Sequence, residues 1–156
     1  TKRFKGQIFV DNWGRSFLAA GDSGSLMVED VDVNPAPVGL LFAGSPSVAV
    51  ANPIGDVLGY LGVQMVGVPA AGMASSEADQ APPRSEVARA QRVQERYGNA
   101  LLNIPRGVGH GIGLEGERVV IKVFVEEMTD EAQRAVPSSL DGVPVVLKAV
   151  GRIVAF

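Results

Sequence analysis

The pattern of hydrophobic and polar positions predicts several short strands in the first part of the chain. Apolar runs bounded by turn-forming residues predict strands at 7–11, 26–29, 38–44 and 48–51. Asn52 suits a helix N-cap and Pro53 suits the first helical position, so a short amphipathic helix is predicted over 53–62. This part of the chain is therefore predicted to consist of strands followed by one short helix.

A second pattern begins after residue 66. Residues 67–83 are small, polar and interrupted by proline, which is typical of a linker, and we place a domain boundary there. Beyond it, Ser85 is predicted to cap a helix that runs to about Asn103, because apolar residues recur at three- and four-residue steps. The apolar stripe of this helix is expected to cover the strands of its own domain.

The rest of the chain predicts strands and one further short helix. The glycine-rich segment 107–113 predicts a bulged strand rather than a phosphate-binding loop, because no helix follows it. Apolar residues at every second position over 119–125 predict a strand with one buried face. Thr129 is predicted to cap a short helix, and 143–156 to hold one or two closing strands. The resulting order of elements predicts a small α+β domain over 84–156.

Composition and charge narrow the classes of function. Of the 156 residues, 46 % are hydrophobic and 20 % are charged, which is typical of a globular protein with a filled core. The net charge of −3 disfavours nucleic acid and an anionic membrane as partners. No apolar run is long enough to predict a transmembrane helix. The absence of cysteine excludes disulfides, thiolate catalysis and zinc–thiolate sites.

The candidate chemistry lies in the segment Gly21-Asp22-Ser23-Gly24-Ser25. A serine between glycines and after an acid indicates a nucleophile on a tight turn. The glycines allow backbone dihedrals that a bulkier residue resists. Backbone N–H groups at such a turn can converge on a developing oxyanion. The segment therefore predicts a serine nucleophile, Ser23.

This segment resembles the nucleophile motif of chymotrypsin/trypsin-like serine peptidases. In that family a strand leaves the serine, and after a loop an apolar strand ending in glycine lines the substrate cleft. A further strand and a C-terminal helix then complete the second barrel. The elements predicted over 26–62 follow the same order. The resemblance implies that 1–66 is the all-β C-terminal half of a trypsin-like barrel, ending in a short helix and followed by the α+β domain.

The resemblance also implies roles for individual residues. Ser23 would be the nucleophile, and the backbone N–H groups of Ser23 and Gly21 would form the oxyanion hole. The position that sets primary specificity, six before the nucleophile, falls on Phe17, which favours small or apolar substrate side chains over Lys or Arg. Ala43 and Gly44 would pair with the backbone of an extended peptide or protein substrate. Neither a cofactor nor a metal is expected.

The chain departs from the family in lacking a base upstream of the serine. A serine hydroxyl is a weak nucleophile without a base, and in this family histidine and aspartate precede the serine. Only 22 residues precede Ser23, and none is histidine. We therefore expect the upstream half of the same peptidase, carrying the histidine and aspartate, to be the partner of this chain. That half would be removed by cleavage, including self-cleavage, or by truncation, and this chain alone is predicted to be inactive.

The second part resembles a small domain appended to the C-terminus of bacterial peptidases of this kind. The resemblance rests on the segments 104–113, 119–125 and 141–145. It implies an accessory or interaction role and a bacterial source. The absence of cysteine fits the bacterial cytoplasm, but it also fits many exported bacterial enzymes, so the compartment stays open.

Three other interpretations stay open. The chain could be a non-catalytic interaction or regulatory protein built on a degenerate peptidase barrel. Thr1 could act as an N-terminal nucleophile with its own amine as base, although the motif around Ser23 would then be unexplained. His110, the only histidine, could be the base or a metal ligand, but it lies beyond the predicted linker and has no neighbours at ligand spacing.

Overall fold

The computed structural model describes residues 3–12, 17–66 and 83–155, and the chain divides into two compact units. The first unit comprises Gly6–Gln80 with Val154–Phe156, and the second comprises Thr1–Lys5 with Ala81–Ile153. Each unit is built on its own β-sheet, so the described residues form a mainly β fold with a few helices.

The described residues form nine strands and three helices. In chain order these are β1 (Ile8–Asp11), β2 (Leu26–Val28), β3 (Pro37–Gly44), β4 (Val48–Pro53), α1 (Ile54–Leu61), α2 (Arg84–Leu102), β5 (Gly107–Glu115), β6 (Arg118–Val125), α3 (Asp130–Ala135), β7 (Ser139–Leu140), β8 (Val143–Ala149) and β9 (Val154–Ala155). Every element predicted from the pattern is present, with ends shifted by a few residues.

The first unit holds an antiparallel sheet with the order β1-β4-β3-β2. The apolar strand β4 lies inside this sheet, and its residues Val48–Ala51 are buried. A small core forms around Leu41, Ala49 and Ala51, against which half-buried side chains of neighbouring segments pack, namely Ile8, Val10, Leu18 and Met27. The loop before β2 is therefore tied to the sheet through Leu18.

The second unit holds a four-stranded sheet with the order β5-β6-β8-β7, in which only the β6–β8 pair is parallel. The helix α3 and the strand β7 lie in the connection between β6 and β8, because two parallel strands must be joined by a long crossover. The alternating residues of β6 that were predicted to share a buried face do enter the core, together with the apolar face of α2. These core residues include Ala90, Val93, Leu101, Val119, Ile121, Val123 and Val125.

The helix starts show where local rules succeed and fail. Thr129 caps α3 as predicted, because its hydroxyl accepts the Ala132 N–H at 3.1 Å. Ser85 does not cap α2, whose N-cap is Pro83. Asn52 does not cap α1 either, because it stays paired in β4 and Pro53 takes the N-cap position. In the latter case strand pairing outcompetes the capping preference of asparagine.

The glycine-rich strand β5 contains the predicted bulge, since its register with β6 shifts between Gly107 and Gly109. A Cβ on Gly107 would lie 2.8 Å from the Ile104 carbonyl oxygen, so the backbone packs too closely there for a side chain. The glycines of this segment therefore serve strand geometry and close packing.

At each end of the described chain, a short segment belongs to a different unit from the residues that adjoin it in sequence. Phe4 donates its N–H to the Val108 carbonyl at 2.7 Å and bridges to Gly109, so residues 3–5 belong to the second unit. The strand β9, which the pattern assigned to the α+β domain, pairs instead with β3 of the first unit. The predicted linker 67–83 lies outside the described residues except for Pro83.

Over the described ranges, none of the helices has the length and apolar character needed to cross a membrane.

Candidate functional site

The 21–25 turn is closed on its N-terminal side by two reciprocal hydrogen bonds between Ala19 and Asp22. The Ala19 N–H donates to the Asp22 carboxylate at 2.7 Å, and the Asp22 N–H donates to the Ala19 carbonyl at 3.1 Å. A short acidic side chain can satisfy a backbone donor in this way without secondary structure. The acid of the motif therefore shapes the turn through its own neighbours in sequence.

The C-terminal side of the same turn is fixed to the sheet. Gly24 donates its N–H to the Leu41 carbonyl at 2.8 Å, and Leu41 donates its N–H to the Ser25 carbonyl at 3.0 Å. Ser25 donates in turn to the Asp22 carbonyl at 2.9 Å. Because Leu41 belongs to the buried core of the first unit, the turn is anchored to a strand of that core.

Both glycines of the turn adopt backbone conformations that other residues resist. Gly21 has a φ of 105° and Gly24 a φ of 89°. A Cβ at either position would meet no atom within 4 Å. The need for glycine is therefore conformational and does not arise from crowding.

The turn leaves two N–H groups without an acceptor. The N–H groups of Asp22, Gly24 and Ser25 are all hydrogen-bonded to carbonyl oxygens. Those of Gly21 and Ser23 have no acceptor among the residues that the structure describes, and neither has the Ser23 hydroxyl a partner there. Gly21 and Ser23 are also exposed to solvent. The turn thus presents a hydroxyl and two spare donors at alternate positions.

The predicted substrate-binding residues lie around this turn and on β3. Phe17 lies just before the turn and is 46 % exposed. The residues that precede it, 13–16, are not described. Ala43 and Gly44 are buried at the end of β3, two and three residues beyond Leu41. They pair with Val50 and Ala49 of β4 on one edge and with β9 on the other. At Ala43 and Gly44, both edges of β3 are therefore occupied by other strands of this chain.

His110 lies in β5 of the second unit and is 6 % exposed. Its Nδ1 is 3.0 Å from Nε2 of Gln94, while Nε2 of the ring is buried without a hydrogen-bond partner among the described residues. Burial lowers the pKa of His110. The backbone of Gly98 acts in the opposite direction and raises the pKa, while the charge of Lys5 lowers it further. This histidine is a buried, neutral group within its own unit and is not displayed at a surface for proton transfer.

Two residues of α2 that the sequence analysis did not single out lie against His110. Gln94 is a polar residue beside the apolar stripe of α2, between Val93 and Tyr97. Gly98 lies near the C-terminal end of that helix, and a Cβ there would lie 3.3 Å from the His110 ring. Gln94 and Gly98 lie four residues apart on α2 and both face the His110 ring, but no pattern in the sequence pairs them with it.

A second polar cluster in the same unit is structural. Asp141 opens the turn between β7 and β8 with a φ of 45°. Arg96 and Tyr97 donate to its carboxylate at 2.8 and 3.2 Å, and Arg89 donates to its carbonyl at 2.6 Å. These bonds hold the turn to α2.

Within the described ranges, no three histidine, cysteine or acidic side chains come together in a way that could hold a metal ion. Thr1, the alternative nucleophile, lies outside the described residues. Among known proteins, no family model, no curated protein and no solved structure matches this chain.

Proposed function

We propose that this chain is the nucleophile-bearing half of a serine endopeptidase that works through an acyl-enzyme on Ser23. The observation that carries the proposal is the 21–25 turn, which leaves the Ser23 hydroxyl and the N–H groups of Gly21 and Ser23 unengaged among the described residues. All other N–H groups of the turn are engaged in holding its shape. Such an arrangement suits a nucleophile beside an oxyanion hole.

The proposed reaction has two halves. A histidine of the upstream segment takes the proton of Ser23 while Oγ attacks the scissile carbonyl, and the N–H groups of Gly21 and Ser23 stabilise the oxyanion. The same histidine then gives the proton to the leaving amine, which releases the first product and leaves an ester on Ser23. Water, activated by the same base, hydrolyses the ester and restores the hydroxyl.

The arrangement after Ser23 supports a peptidase barrel. The strand β2 leaves the turn, the apolar strand β3 ends in Gly44, and β4 and α1 follow, which is the order that the family resemblance implies. Within the described residues, β1 pairs only with β4, and β2 only with β3 and not with a further strand. Open outer edges of this kind are normally covered, and strands of the upstream half would cover them.

Exposed apolar side chains at the end of α1 support the same partner. Tyr60 is 92 % exposed, and Leu61, Val63 and Val66 are exposed as well. Soluble proteins seldom leave contiguous apolar groups in water unless a partner covers them. We therefore expect the upstream half of the peptidase to be the partner of this chain.

The proposal is tested by labelling with a fluorophosphonate probe after co-expression with the upstream half. We expect stoichiometric labelling of Ser23, loss of labelling in Ser23→Ala, and peptidase activity lower in that variant by about 10³-fold or more. Ser25→Ala is the matched control, since the contacts of Ser25 in the turn use only its backbone. Labelling that persists in Ser23→Ala would point to Thr1 instead, and no labelling of the assembled protein would refute the enzyme.

One observation favours a second candidate, a non-catalytic binding protein. The only histidine of the chain is buried and bonded to Gln94, and the first unit contains none. If the upstream half also lacks a histidine and aspartate pair, the barrel is degenerate and its open edges serve to bind partners. The sequence of that half, together with the labelling experiment, separates the two functions.

A further inference from the structure

The strand β9 lies where the proposed function places the substrate. Its two residues pair antiparallel with the end of β3, Ala155 opposite Ala43 and Val154 opposite Gly44. An extended peptide bound for hydrolysis would add to the same positions of β3 as an extra strand.

The edge that β9 uses is the edge that carries the 21–25 turn. At Ala43 and Gly44, one edge of β3 is taken by β4, so β9 must lie on the other. That other edge carries β2, whose Leu26 faces Leu40. One residue further along, the turn bonds to Leu41 through Gly24 and Ser25. Along this edge the order is thus β2, the turn with Ser23, and then β9.

The pairing rests on backbone bonds more than on burial. Val154 is 44 % exposed and Ala155 is also exposed, and the ladder has only two residue pairs. By contrast, Val50 and Ala49, which pair with Ala43 and Gly44 on the other edge of β3, are fully buried. A short ladder with exposed side chains can be displaced without opening the core of the unit.

We infer that Val154–Ala155 is an internal ligand that occupies the peptide-binding edge of β3 beside Ser23 and limits access of substrate to it. The binding of Val154–Ala155 to β3 rests on the observed strand pairing. The limit on substrate access rests on the proposed function. The competing peptide is an extended segment of small or apolar residues that adds antiparallel to Ala43–Gly44. Phe17, exposed beside the turn, favours the same class of side chain.

The binding is tested with a fluorescent peptide that carries the sequence of residues 150–156. Its affinity is measured by anisotropy for the intact chain and for a chain ending at Ile153, both with Ser23→Ala so that no reaction intervenes. Since a tethered segment competes at high effective concentration, we expect the shortened chain to bind at least about tenfold more tightly. Equal affinity for the two chains, or no binding to the shortened one, would overturn the inference.

A full-length variant guards against a folding defect in the shortened chain. Val154→Pro with Ala155→Pro removes both N–H donors of β9 and keeps the length of the chain. Val154→Ala is its control, because it changes an exposed side chain and leaves the backbone intact. The proline variant should bind the peptide like the shortened chain, and the alanine variant like the intact one; the reverse order contradicts the inference.

Activity of the assembled peptidase provides a separate readout. Release of β9 should raise kcat/KM for a peptide substrate by about tenfold through a lower KM, as removal of an internal competitor requires. An unchanged KM would overturn the regulatory role. If neither form labels at Ser23, the peptidase proposal fails, whereas the binding comparison still decides whether β9 is an internal ligand.

Discussion

Gly24 donates its backbone N–H to the carbonyl of Leu41 at 2.8 Å, and this bond ties the turn that carries Ser23 to the core of the first unit. Gly24 makes this bond with a φ of 89°, a backbone conformation that favours glycine, so the shape of the turn favours glycine at this position. Ser23, the proposed nucleophile, is thus held in position through the backbone of the turn and its bond to the sheet.

Gly24→Ala should destabilise the chain by about 1–2 kcal/mol, because an L-residue resists this backbone conformation. If the proposed function holds, probe labelling of Ser23 in the assembly with the upstream half should fall as the turn shifts. Gly55→Ala in α1 is the matched control, since that glycine is also uncrowded but has an ordinary helical conformation. Urea unfolding should show the control to be unchanged or more stable; equal losses for both would contradict the strain argument.

Asp22→Ala should loosen the turn by removing the acceptor of the Ala19 N–H. We expect a loss of about 1 kcal/mol in stability together with slower probe labelling at Ser23. Asp22→Asn keeps an oxygen at the same distance and should retain most of both properties. If alanine and asparagine behave alike, the charge of Asp22 rather than its hydrogen bond supports the turn.

Stability of the second unit should fall as pH falls, because His110 is neutral when folded. Burial lowers its pKa in the folded chain, so the unfolded chain takes up a proton first as the pH drops below the ordinary value of about 6.5. This contribution is therefore complete above that value and is lost on acidification. Urea midpoints measured between about pH 7.5 and about pH 5 should decline less steeply in His110→Gln than in the parent chain. Parallel pH profiles would exclude His110 as the source.

Gly142→Ala should cost more than Gly116→Ala, although both glycines have positive φ values, of 78° and 60°. A Cβ on Gly142 would lie 2.5 Å from the guanidinium of Arg89, whereas one on Gly116 would meet nothing within 4 Å. The difference should be about 0.5–1 kcal/mol, the usual contribution of one exposed hydrogen bond, here from Arg89 to Asp141. In an Arg89→Ala background the two substitutions should become equivalent.

The sequence was informative wherever structure is decided locally. The apolar runs of β3 and β4, the alternation in β6 and the cap at Thr129 all depend on near neighbours, and each was predictable. Ser85 and Asn52 failed as caps because a preference worth about 1 kcal/mol yields to the packing and pairing of whole elements.

The partner of β9 lay beyond local reasoning. Val154–Ala155 is a two-residue strand, and nothing in its own pattern specifies a partner more than a hundred positions away in sequence. The candidate site divides in the same way. The motif predicted Ser23 as the nucleophile, which stays a prediction, and only the fold shows that the N–H groups of Gly21 and Ser23 lack acceptors among the described residues while their neighbours are bonded.

Neither unit is encoded by one continuous stretch of the chain. Residues 3–5 belong to the unit formed mainly by the later sequence, and 154–155 to the unit formed mainly by the earlier sequence. Each half of the chain thus contributes a terminal segment to the unit formed mainly by the other half. A single proteolytic cut within 67–82 should therefore give two fragments that co-elute until a denaturant separates them, and fragments divided at that point should complement one another when mixed.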